Sequence, residues 1–308
     1  MLLVGGGLAD PNLQALLQAA QHLGVPCIDL CVPTQRSPAF HWPLADEASP
    51  PGEGTARGSM PQLPWGGHDM PRAAFLRQDV FAALADPRPA VSERAMGWFA
   101  ALQGWLLAHP EVRSFNAEIT ASAFNKPAAL LLARACGLRT PHTWVSNDVA
   151  RLRERLSAPC IAKPVAGGGL CQTLEDALLT IDPAEPVEHS AMPALIQPRL
   201  ASPEMRLFVV GEHSFAFDVS SPSLDYRAEQ DATVTPRDVP PEVQPLRELM
   251  RRLRMDFGAA DFKTCPETGE WVFLELNTSP MFAHFNGVSE GLLCRAMVRH
   301  LVQGPAMA

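Results

Sequence analysis

The sequence predicts a mixed α/β and α+β protein built from three units of strands and helices. Apolar runs typical of strands alternate with amphipathic patterns at helical spacing along most of the 308 residues. That length suits two or three domains, since a domain averages about 150 residues. With 47% hydrophobic and 19% charged residues, the composition is globular and far from that of disordered chains. The first unit is expected over residues 1–117, the second over 118–193 and the third over 194–308.

The N-terminal unit is expected to begin with a βαβ motif. Residues 2–4 form an apolar strand pattern, and Asp10 before a proline is a typical helix N-cap. Apolar residues at helical spacing continue to Gly24, and residues 26–32 favour a second strand. The glycines at 5–7 lack the full GxGxxG pattern, so we interpret them as a turn.

The rest of the chain follows the same alternation after one irregular segment. Residues 33–71 are rich in Pro, Gly and Ser and are expected to form an extended or mobile loop. An apolar stripe in the helix over 92–109 is expected to pack in the core; its members are Met96, Trp98, Phe99, Leu102, Trp105 and Leu106. The expected helices cover 71–85, 92–109, 125–136, 148–156, 174–181, 241–254 and 287–301, and the expected strands cover 142–145, 160–163, 194–197, 205–210, 213–219, 258–263 and 271–276.

Charge and cysteine content exclude several classes of function. A net charge of -8 gives no basic field for phosphate backbones or anionic lipids, so neither nucleic acid nor a membrane is an expected partner. No apolar run is as long as a membrane span, and the start of the chain lacks a signal-peptide pattern, which predicts a cytoplasmic protein. The seven cysteines form no CxxC pair, so no disulfide framework or zinc site is expected. If the protein assembles, a homodimer is the default expectation.

Lysine is rare in this chain, and its three positions are therefore informative. Lys126, Lys163 and Lys263 are the only lysines among 25 basic residues, so arginine supplies nearly all the positive charge. A compact ammonium group on a flexible stem often binds phosphate as a point charge. The three lysines are candidates for a phosphate site, with chance retention under a compositional bias as the alternative.

The last predicted hairpin brings two carboxylates together. If its strands pair symmetrically about their turn, Asp261 lies opposite Glu275, and Asn277 shares their face. The same register places Lys263 opposite Phe273. Like charges in apolar surroundings are unfavourable unless a cation neutralises them, and carboxylate and amide oxygens suit Mg²⁺. Two alternatives are carboxylates that face solvent at a sheet edge and an acid–base pair of the glycosidase kind.

A glycine-rich segment after a predicted strand suggests phosphate binding. The sequence KPVAGGG, residues 163–169, joins a strand-end lysine to three glycines whose backbone N–H groups can approach an anion closely. The motif is weak on its own, because glycine turns are common. It is not a P-loop, because the pattern GxxxxGK[ST] is missing.

Four sequence blocks together resemble the ATP-grasp superfamily. They are NKP at 125–127, KPVAGGG at 163–169, the block from 197 to 211, and DFK at 261–263 followed by FLELN at 273–277. Within the superfamily the chain is similar to the RimK-type carboxylate–amine ligases, which include the ligases that cross-link graspetide precursor peptides. The resemblance covers residues 116–301. It implies a three-domain ATP-grasp architecture with an N-terminal βαβ pre-ATP-grasp domain and a nucleotide between the central lid domain and the C-terminal metal-binding domain.

The resemblance also implies a set of ligands for ATP and magnesium. ATP and two Mg²⁺ ions are the implied cofactors, with Mn²⁺ as an alternative ion. The phosphates are assigned to Lys126, Lys163 and the lid glycines Gly167, Gly168 and Gly169; adenine to Gln197, Pro198 and Arg199; ribose to Glu204; the metal ions to Asp261, Glu275 and Asn277; and the reacting groups to Arg206 and Arg227, with Lys163 also counted as catalytic.

Two positions depart from RimK-type sequences. Pro198 stands where an acidic residue usually follows the glutamine of the hinge, and proline has no backbone N–H to donate. After Asn277 the chain reads TSPMFAHFN, residues 278–286, where graspetide ligases tend to have a glycine-containing turn. The first departure concerns the adenine contacts, and the second concerns the assignment to the graspetide-ligase group.

The implied reaction is an ADP-forming ligation. A substrate carboxylate attacks the γ-phosphoryl group of ATP, and an amine or hydroxyl then displaces phosphate from the acyl phosphate. The substrate is a carboxylate-bearing amino acid or peptide, and the sequence does not separate the two. A phosphotransferase on the same fold and a non-catalytic nucleotide-binding regulator or scaffold are the alternatives.

Overall fold

A computed structural model describes residues 1–44, 63–67, 69–165, 171–180, 188–221 and 232–303. Two compact units divide the chain: the first contains Met1–Ser114 together with the C-terminal helix from Cys294, and the second contains Phe115–Leu293. The further division into domains over 118–193 and 194–308 stays a prediction. No helix in the described ranges is long and apolar enough to cross a membrane.

The first unit is built on a small parallel sheet. Its elements are β1 (Leu2–Gly7), α1 (Pro11–His22), β2 (Cys27–Val32), β3 (Ala73–Leu76), α2 (Ala82–Ala85) and α3 (Pro89–Ala108). The strands pair in the order β2-β1-β3, all parallel. The Asp10 carboxylate accepts a hydrogen bond from the backbone N–H of Asn12 at 2.8 Å, which caps α1 as the sequence predicts. The expected βαβ motif is confirmed.

The expected helix over 71–85 is wrong in its first half. Residues Ala73–Leu76 form β3 instead, and only Ala82–Ala85 are helical. All but the last residue of β3 are buried beside β1. A short apolar run fits a buried strand and a helix equally well by periodicity, so pairing with β1 decides for the strand.

Helix α3 packs its tryptophan-containing stripe into the core of the first unit, as expected. Trp98, Leu102 and Trp105 are buried, whereas Met96, which was expected in the same stripe, is exposed because it lies on the outer side of the helix. The described parts of the segment over 33–71 contain no helix or strand, but they supply aromatic partners for this stripe. Phe40 contacts Trp98, and Trp65 contacts Trp105, with ring centroids 5.8 and 4.7 Å apart. Residues 45–62 and 68 lie outside the described residues.

The second unit contains two antiparallel sheets. Its first part comprises a 3₁₀ turn (Ala121–Phe124), α4 (Lys126–Ala135), β4 (Trp144–Asp148), α5 (Val149–Glu154), a second 3₁₀ turn (Arg155–Ser157), β5 (Cys160–Pro164), β6 (Gln172–Thr173), α6 (Leu174–Leu179) and β7 (His189–Pro198). Its second part comprises β8 (Ala201–Val210), β9 (His213–Ser220), β10 (Thr233–Arg237), α7 (Val243–Leu253), β11 (Phe257–Thr264), β12 (Trp271–Asn277), α8 (Ala283–Val288) and the start of α9 (Leu292–Gln303). The sheet orders are β4-β7-β5-β6 and β10-β9-β8-β11-β12.

Two elements of the second part differ from the expectation. The helix expected over 287–301 is two helices, because Glu290 and Gly291 adopt left-handed backbone conformations between α8 and α9, with φ of 52° and 80°. Strand β10 was not expected. It carries Pro236 and lies at the edge of the sheet, where a missing N–H need not break the ladder.

One face of the five-stranded sheet packs against helices. Apolar residues recur at every second position of β8 and at helical spacing in α7. The buried cluster that they form includes Met205, Leu207, Val209, Leu246, Leu249, Leu253, Phe262 and Phe273. The alternate residues of these strands point to the opposite face, where charged side chains lie beside buried rings such as Phe208 and Phe217.

Candidate functional site

The two carboxylates of the last hairpin face each other, as the sequence predicts. Asp261 on β11 pairs directly with Glu275 on β12, and Asn277 is two residues further along β12. Cross-strand partners project from one face of a sheet, so this pair lies on the face away from the apolar cluster. The Asn277 Nδ2 group donates to Asp261 Oδ2 at 2.9 Å. The three predicted metal ligands are therefore together.

A β-bulge next to this pair changes the register beyond it. Phe262 pairs with Phe273 and Lys263 pairs with Val272, so the predicted pairing of Lys263 with Phe273 is wrong. The register shift leaves Leu274 as an extra residue of β12. Because of the bulge, Phe273 joins the apolar cluster although it is two residues from Glu275, which faces the other way. In a regular strand the two would share a face.

Arg206 on β8 is the neighbour of Asp261 on its other side. Its Nη1 group donates to Oδ1 and Oδ2 of Asp261 at 2.9 and 3.2 Å. The pKa of Asp261 is nevertheless raised to about 6, chiefly by burial. Arg206 and Lys163 lower this pKa, while Glu275 and Glu204 raise it. Two carboxylates thus share one partly desolvated site, where a bound cation would favour their charged forms.

Two lysines approach these carboxylates from separate elements. Lys126 begins α4, whose first turn is capped by the Asn125 side chain. Its Nζ atom is 3.5 Å from Glu275 Oε2. Lys163 lies on β5, close enough to Asp261 for its charge to lower the pKa of that carboxyl. The two lysines that the resemblance assigns to phosphate thus lie beside the predicted metal ligands.

The third lysine also lies on this face. Lys263 pairs across the strands with Glu204 of β8, and its Nζ atom is 2.7 Å from Glu204 Oε1. Its rarity made Lys263 a candidate for a phosphate site, whereas its contact with Glu204 was not predicted. The pairing with Glu204 had no signal in the sequence, because β8 and β11 are far apart along the chain.

Gln197 projects from β7 toward the same region. Lys163 pairs with Leu195, two residues before Gln197, so Gln197 and Lys163 share a face of the four-stranded sheet. Gln197 is only 2% exposed, and its Nε2 donates to Thr143 Oγ1 at 3.0 Å. Thr143 in turn donates to the Pro141 carbonyl. This chain of hydrogen bonds orients the amide and leaves Gln197 Oε1 buried with no partner among the described residues.

Comparison with known proteins identifies the architecture. No protein-family model matches the chain, and no curated protein is significantly similar to it in sequence. The ligase PsnB, complexed with a phosphomimetic variant of its minimal precursor, Mg and ADP, matches with a TM-score of 0.71 and 22% identity, over 99% of this chain and 98% of that chain. The fold is that of the ATP-grasp ligases.

Further ATP-grasp structures match over nearly the whole chain. The RiPP-associated ligase of Chryseobacterium gregarium, in complex with ADP and a leader and core peptide, has a TM-score of 0.67, 18% identity and coverage of 98% and 96%. The macrocyclase MdnC of Microcystis aeruginosa MRC, bound with its precursor peptide MdnA, has a TM-score of 0.66, 18% identity and coverage of 98% of both chains. These likenesses confirm the expected ATP-grasp fold.

The remaining predicted residues of the ATP-grasp site fall into two groups. Pro198 ends β7, and the backbone N–H of Arg199 after it donates to Pro159 O at 2.9 Å. The Arg199 side chain is exposed. The other group lies outside the described residues and comprises Gly167, Gly168, Gly169 and Arg227.

Two aromatic rings support Arg206, which was not foreseen from the sequence. The guanidinium carbon lies 5.5 Å from the Phe208 ring centroid and 5.4 Å from that of Phe285. Phe285 belongs to α8, within the segment where the chain departs from RimK-type sequences. That departure therefore contributes a ring to the candidate site, and it orients the arginine that contacts Asp261.

The oxygen atoms of this site suit a magnesium ion that takes its remaining ligands from water and a bound substrate. Among the residues described, no three or more His, Cys, Asp or Glu side chains form a ready-made metal cluster. Mg²⁺ does not require one, because it commonly takes one or two protein carboxylates and completes its octahedron with water and substrate phosphates. Asn277 directs its Nδ2 at Asp261, and an amide oxygen is a donor of the kind that Mg²⁺ prefers.

Proposed function

We propose that this protein is an ADP-forming ligase that activates a carboxylate as an acyl phosphate and joins it to an amine or hydroxyl. The observation that carries the proposal is the polar face of the five-stranded sheet, where Asp261, Glu275 and Asn277 converge. Lys126 and Lys163 border the same carboxylates. Metal-binding carboxylates beside phosphate-binding cations, in an ATP-grasp fold, suit phosphoryl transfer from ATP.

The metal would be held by Asp261, Glu275 and Asn277. The direct pairing of Asp261 with Glu275, in surroundings whose burial raises the pKa of Asp261, supports this, because a bound cation would stabilise both charged carboxylates. We propose two Mg²⁺ ions, with Mn²⁺ as an alternative. When bound, Mg²⁺ neutralises the β- and γ-phosphate oxygens and stabilises the leaving group.

The nucleotide would contact both sheets of the second unit. Lys126 and Lys163 would bind its phosphates beneath the glycine lid, and Glu204 would bind the ribose hydroxyls. Gln197, with Pro198 and Arg199, would bind adenine. The buried Gln197 Oε1 atom supports this assignment, since an unpaired buried acceptor costs about 1–3 kcal/mol and the exocyclic amine of adenine is a matching donor.

The chemistry would need no protein nucleophile. The substrate carboxylate oxygen attacks the γ-phosphorus, the bond to the β-phosphate oxygen breaks, and ADP leaves. An amine or hydroxyl then attacks the carbonyl carbon, the C–O bond to phosphate breaks, and inorganic phosphate departs with the proton of the nucleophile. Arg206 and Arg227 would orient the carboxylate and the γ-phosphate by paired N–H donors.

We favour a carboxylate on a peptide over one on a free amino acid. The structures matched at TM-scores of 0.66 and above include ligases complexed with precursor peptides. The D-cycloserine synthetase DcsG, whose named product is a small molecule, matches at only 0.54 and 16% identity, over 97% of this chain and 99% of that chain. This difference supports peptide modification as the reaction.

The test is turnover with ATP, Mg²⁺ and a panel of synthetic peptides that carry Asp or Glu with Lys, Ser and Thr. We expect ADP and phosphate as products, together with a peptide that has lost one water by mass spectrometry. Release of AMP and pyrophosphate contradicts the acyl-phosphate route. A peptide that gains phosphate supports the phosphotransferase instead, and nucleotide binding without turnover of any peptide supports the non-catalytic regulator or scaffold.

The assembly state and the cellular location stay predictions from the sequence. A homodimer would give twice the chain mass in light scattering of the purified protein. A cytoplasmic location would place the protein in the cytosolic fraction of its cells.

A further inference from the structure

The ion pair of Lys263 and Glu204 lies at the last regular rung between β11 and β8. The Lys263 Nζ atom is 2.7 Å from Glu204 Oε1, and the two side chains are 18% and 17% exposed. Beyond this rung the register shifts, and Thr264 pairs with Ala201. The backbone ladder therefore constrains Glu204 less than it constrains Arg206, which lies two residues inside the regular part of β8.

A second ion pair, of opposite polarity, occupies the next rung on the same face. Arg206 of β8 is 2.9 Å from Asp261 of β11. Positive and negative side chains thus alternate along both strands. If Lys263 were absent, the cation nearest to Glu204 along β8 would be Arg206. Glu204 would then compete with Asp261 for Arg206.

The choice of lysine at this position bears on how the two oxygens of Glu204 are engaged. The chain has only three lysines among 25 basic residues. Lys263 approaches Oε1 as a point charge, whereas an arginine fork commonly engages both oxygens of a carboxylate. A point charge on Oε1 leaves Oε2 with the capacity to accept hydrogen bonds from a ligand.

We propose that Lys263 is a positioning residue that sets Glu204 for the ribose hydroxyls and thereby selects ribonucleotides over 2′-deoxyribonucleotides. The proposal rests on the proposed function, in which Glu204 binds the ribose. Lys263 fixes one carboxylate oxygen and keeps Glu204 from Arg206, so the other oxygen accepts from the sugar. A half-buried acceptor that loses its hydroxyl donor disfavours the deoxy sugar.

Calorimetric titration of ADP and 2′-deoxy-ADP, each with Mg²⁺, tests this on the full-length chain. We expect the wild type to bind ADP about tenfold more tightly, as one charge-assisted hydrogen bond would give. In Lys263→Met, ADP binding should weaken about tenfold while 2′-deoxy-ADP binding changes less than about twofold. Lys263→Arg should also lose the preference, although it keeps the charge, because its fork engages both oxygens of Glu204.

Arg237→Met is the matched control. The Arg237 Nη1 atom is 2.7 Å from Asp218 Oδ1 in the same sheet, and its guanidinium lies over the Trp271 ring. Arg237 pairs with Ala216, a member of the apolar cluster, so it projects from the opposite face. The control removes an ion pair from the sheet without touching the polar face, and it should keep the wild-type preference. Thermal melts show which variants fold.

A wild-type sugar preference in a folded Lys263→Met or Lys263→Arg variant overturns the proposal. Equal binding of the two nucleotides by the wild type overturns it as well. If Lys263→Met does not fold, the arginine variant decides. Failure of the wild type to bind either nucleotide is a separate result, because it contradicts the proposed function itself.

Discussion

The two faces of the five-stranded sheet differ in their charged residues and carry different properties of the protein. On one face, Leu207, Phe262 and Phe273 belong to a continuous apolar cluster shared with the helices. On the other face, Asp261 and Glu275 each have a cation within 3.5 Å. Side chains alternate between the faces of a strand, so one sheet provides both the core and the candidate site. Residues of the core and of the site can therefore be substituted independently.

The polar face is a poor source of stability. Ion pairs that are largely buried gain little net free energy, because removing two charges from water offsets their attraction. Lys263 and Glu204, each less than one fifth exposed, lie in this regime. Such pairs therefore contribute little to folding, which is compatible with a role in the proposed site.

The largest expected effect is a loss of turnover without a loss of stability, caused by a substitution on the polar face. We expect Glu275→Gln to lower turnover on the order of a thousandfold, the scale of losing stabilisation of transition-state charge, with little change in melting temperature. The rate of ADP release, with any peptide that the protein modifies, measures this loss of turnover. Glu270→Gln, in the same hairpin and exposed beside Arg139, should retain full turnover. Wild-type turnover in folded Glu275→Gln would remove Glu275 from the site.

The matching change on the apolar face should affect folding instead. We expect Phe273→Ala to lower the free energy of unfolding by about 3–5 kcal/mol, because it leaves a cavity in a buried cluster. Denaturant titration measures the loss. Phe124→Ala, at an exposed phenylalanine of the same unit, is the control and should change stability by less than about 0.5 kcal/mol. A loss that small for Phe273→Ala would contradict the division between the two faces.

A smaller effect is expected at Gln197 of the four-stranded sheet, which we propose binds adenine. Thr143→Val removes the hydroxyl that orients the Gln197 amide, so the preference for ADP over GDP should fall about tenfold. Competitive binding measures the ratio. Thr140→Val is the control, because it removes a hydroxyl of the same segment that accepts from Arg134 and not from Gln197. It should leave the ratio unchanged. An unchanged ratio in Thr143→Val would show that the orientation of Gln197 does not contribute to adenine recognition.

The last expected effect is a pH dependence of stability in the absence of divalent metal. The pKa of Asp261 is raised from 3.8 to about 6, chiefly by burial. The folded chain then binds this proton more tightly than the unfolded chain, so the contribution to stability is complete below about pH 3.8 and is lost as the pH rises to about 6. Unfolding of wild type and Asp261→Asn across this window should show the variant gaining relative to wild type as the pH rises. A constant difference would contradict the raised pKa.

Local patterns predicted the parts of this site that depend on short-range pairing. The opposition of Asp261 and Glu275 follows from a hairpin with a short turn, and the βαβ start follows from capping and periodicity. The bulge that leaves Leu274 unpaired did not follow, because it depends on the burial of Phe273 against helices distant in sequence. The pairing of Lys263 with Glu204 and the stacking of Phe285 on Arg206 are likewise long-range contacts without a local signal.

The most direct test of the central claim is calorimetric titration of ADP into the wild-type protein, with Mg²⁺ and again with a chelator. If the polar face of the sheet holds the phosphates through magnesium, ADP binds tightly with Mg²⁺, binds much more weakly without it, and loses the Mg²⁺-dependent part in Glu275→Gln. Absence of ADP binding under both conditions, or binding that neither the chelator nor this substitution alters, would contradict the account.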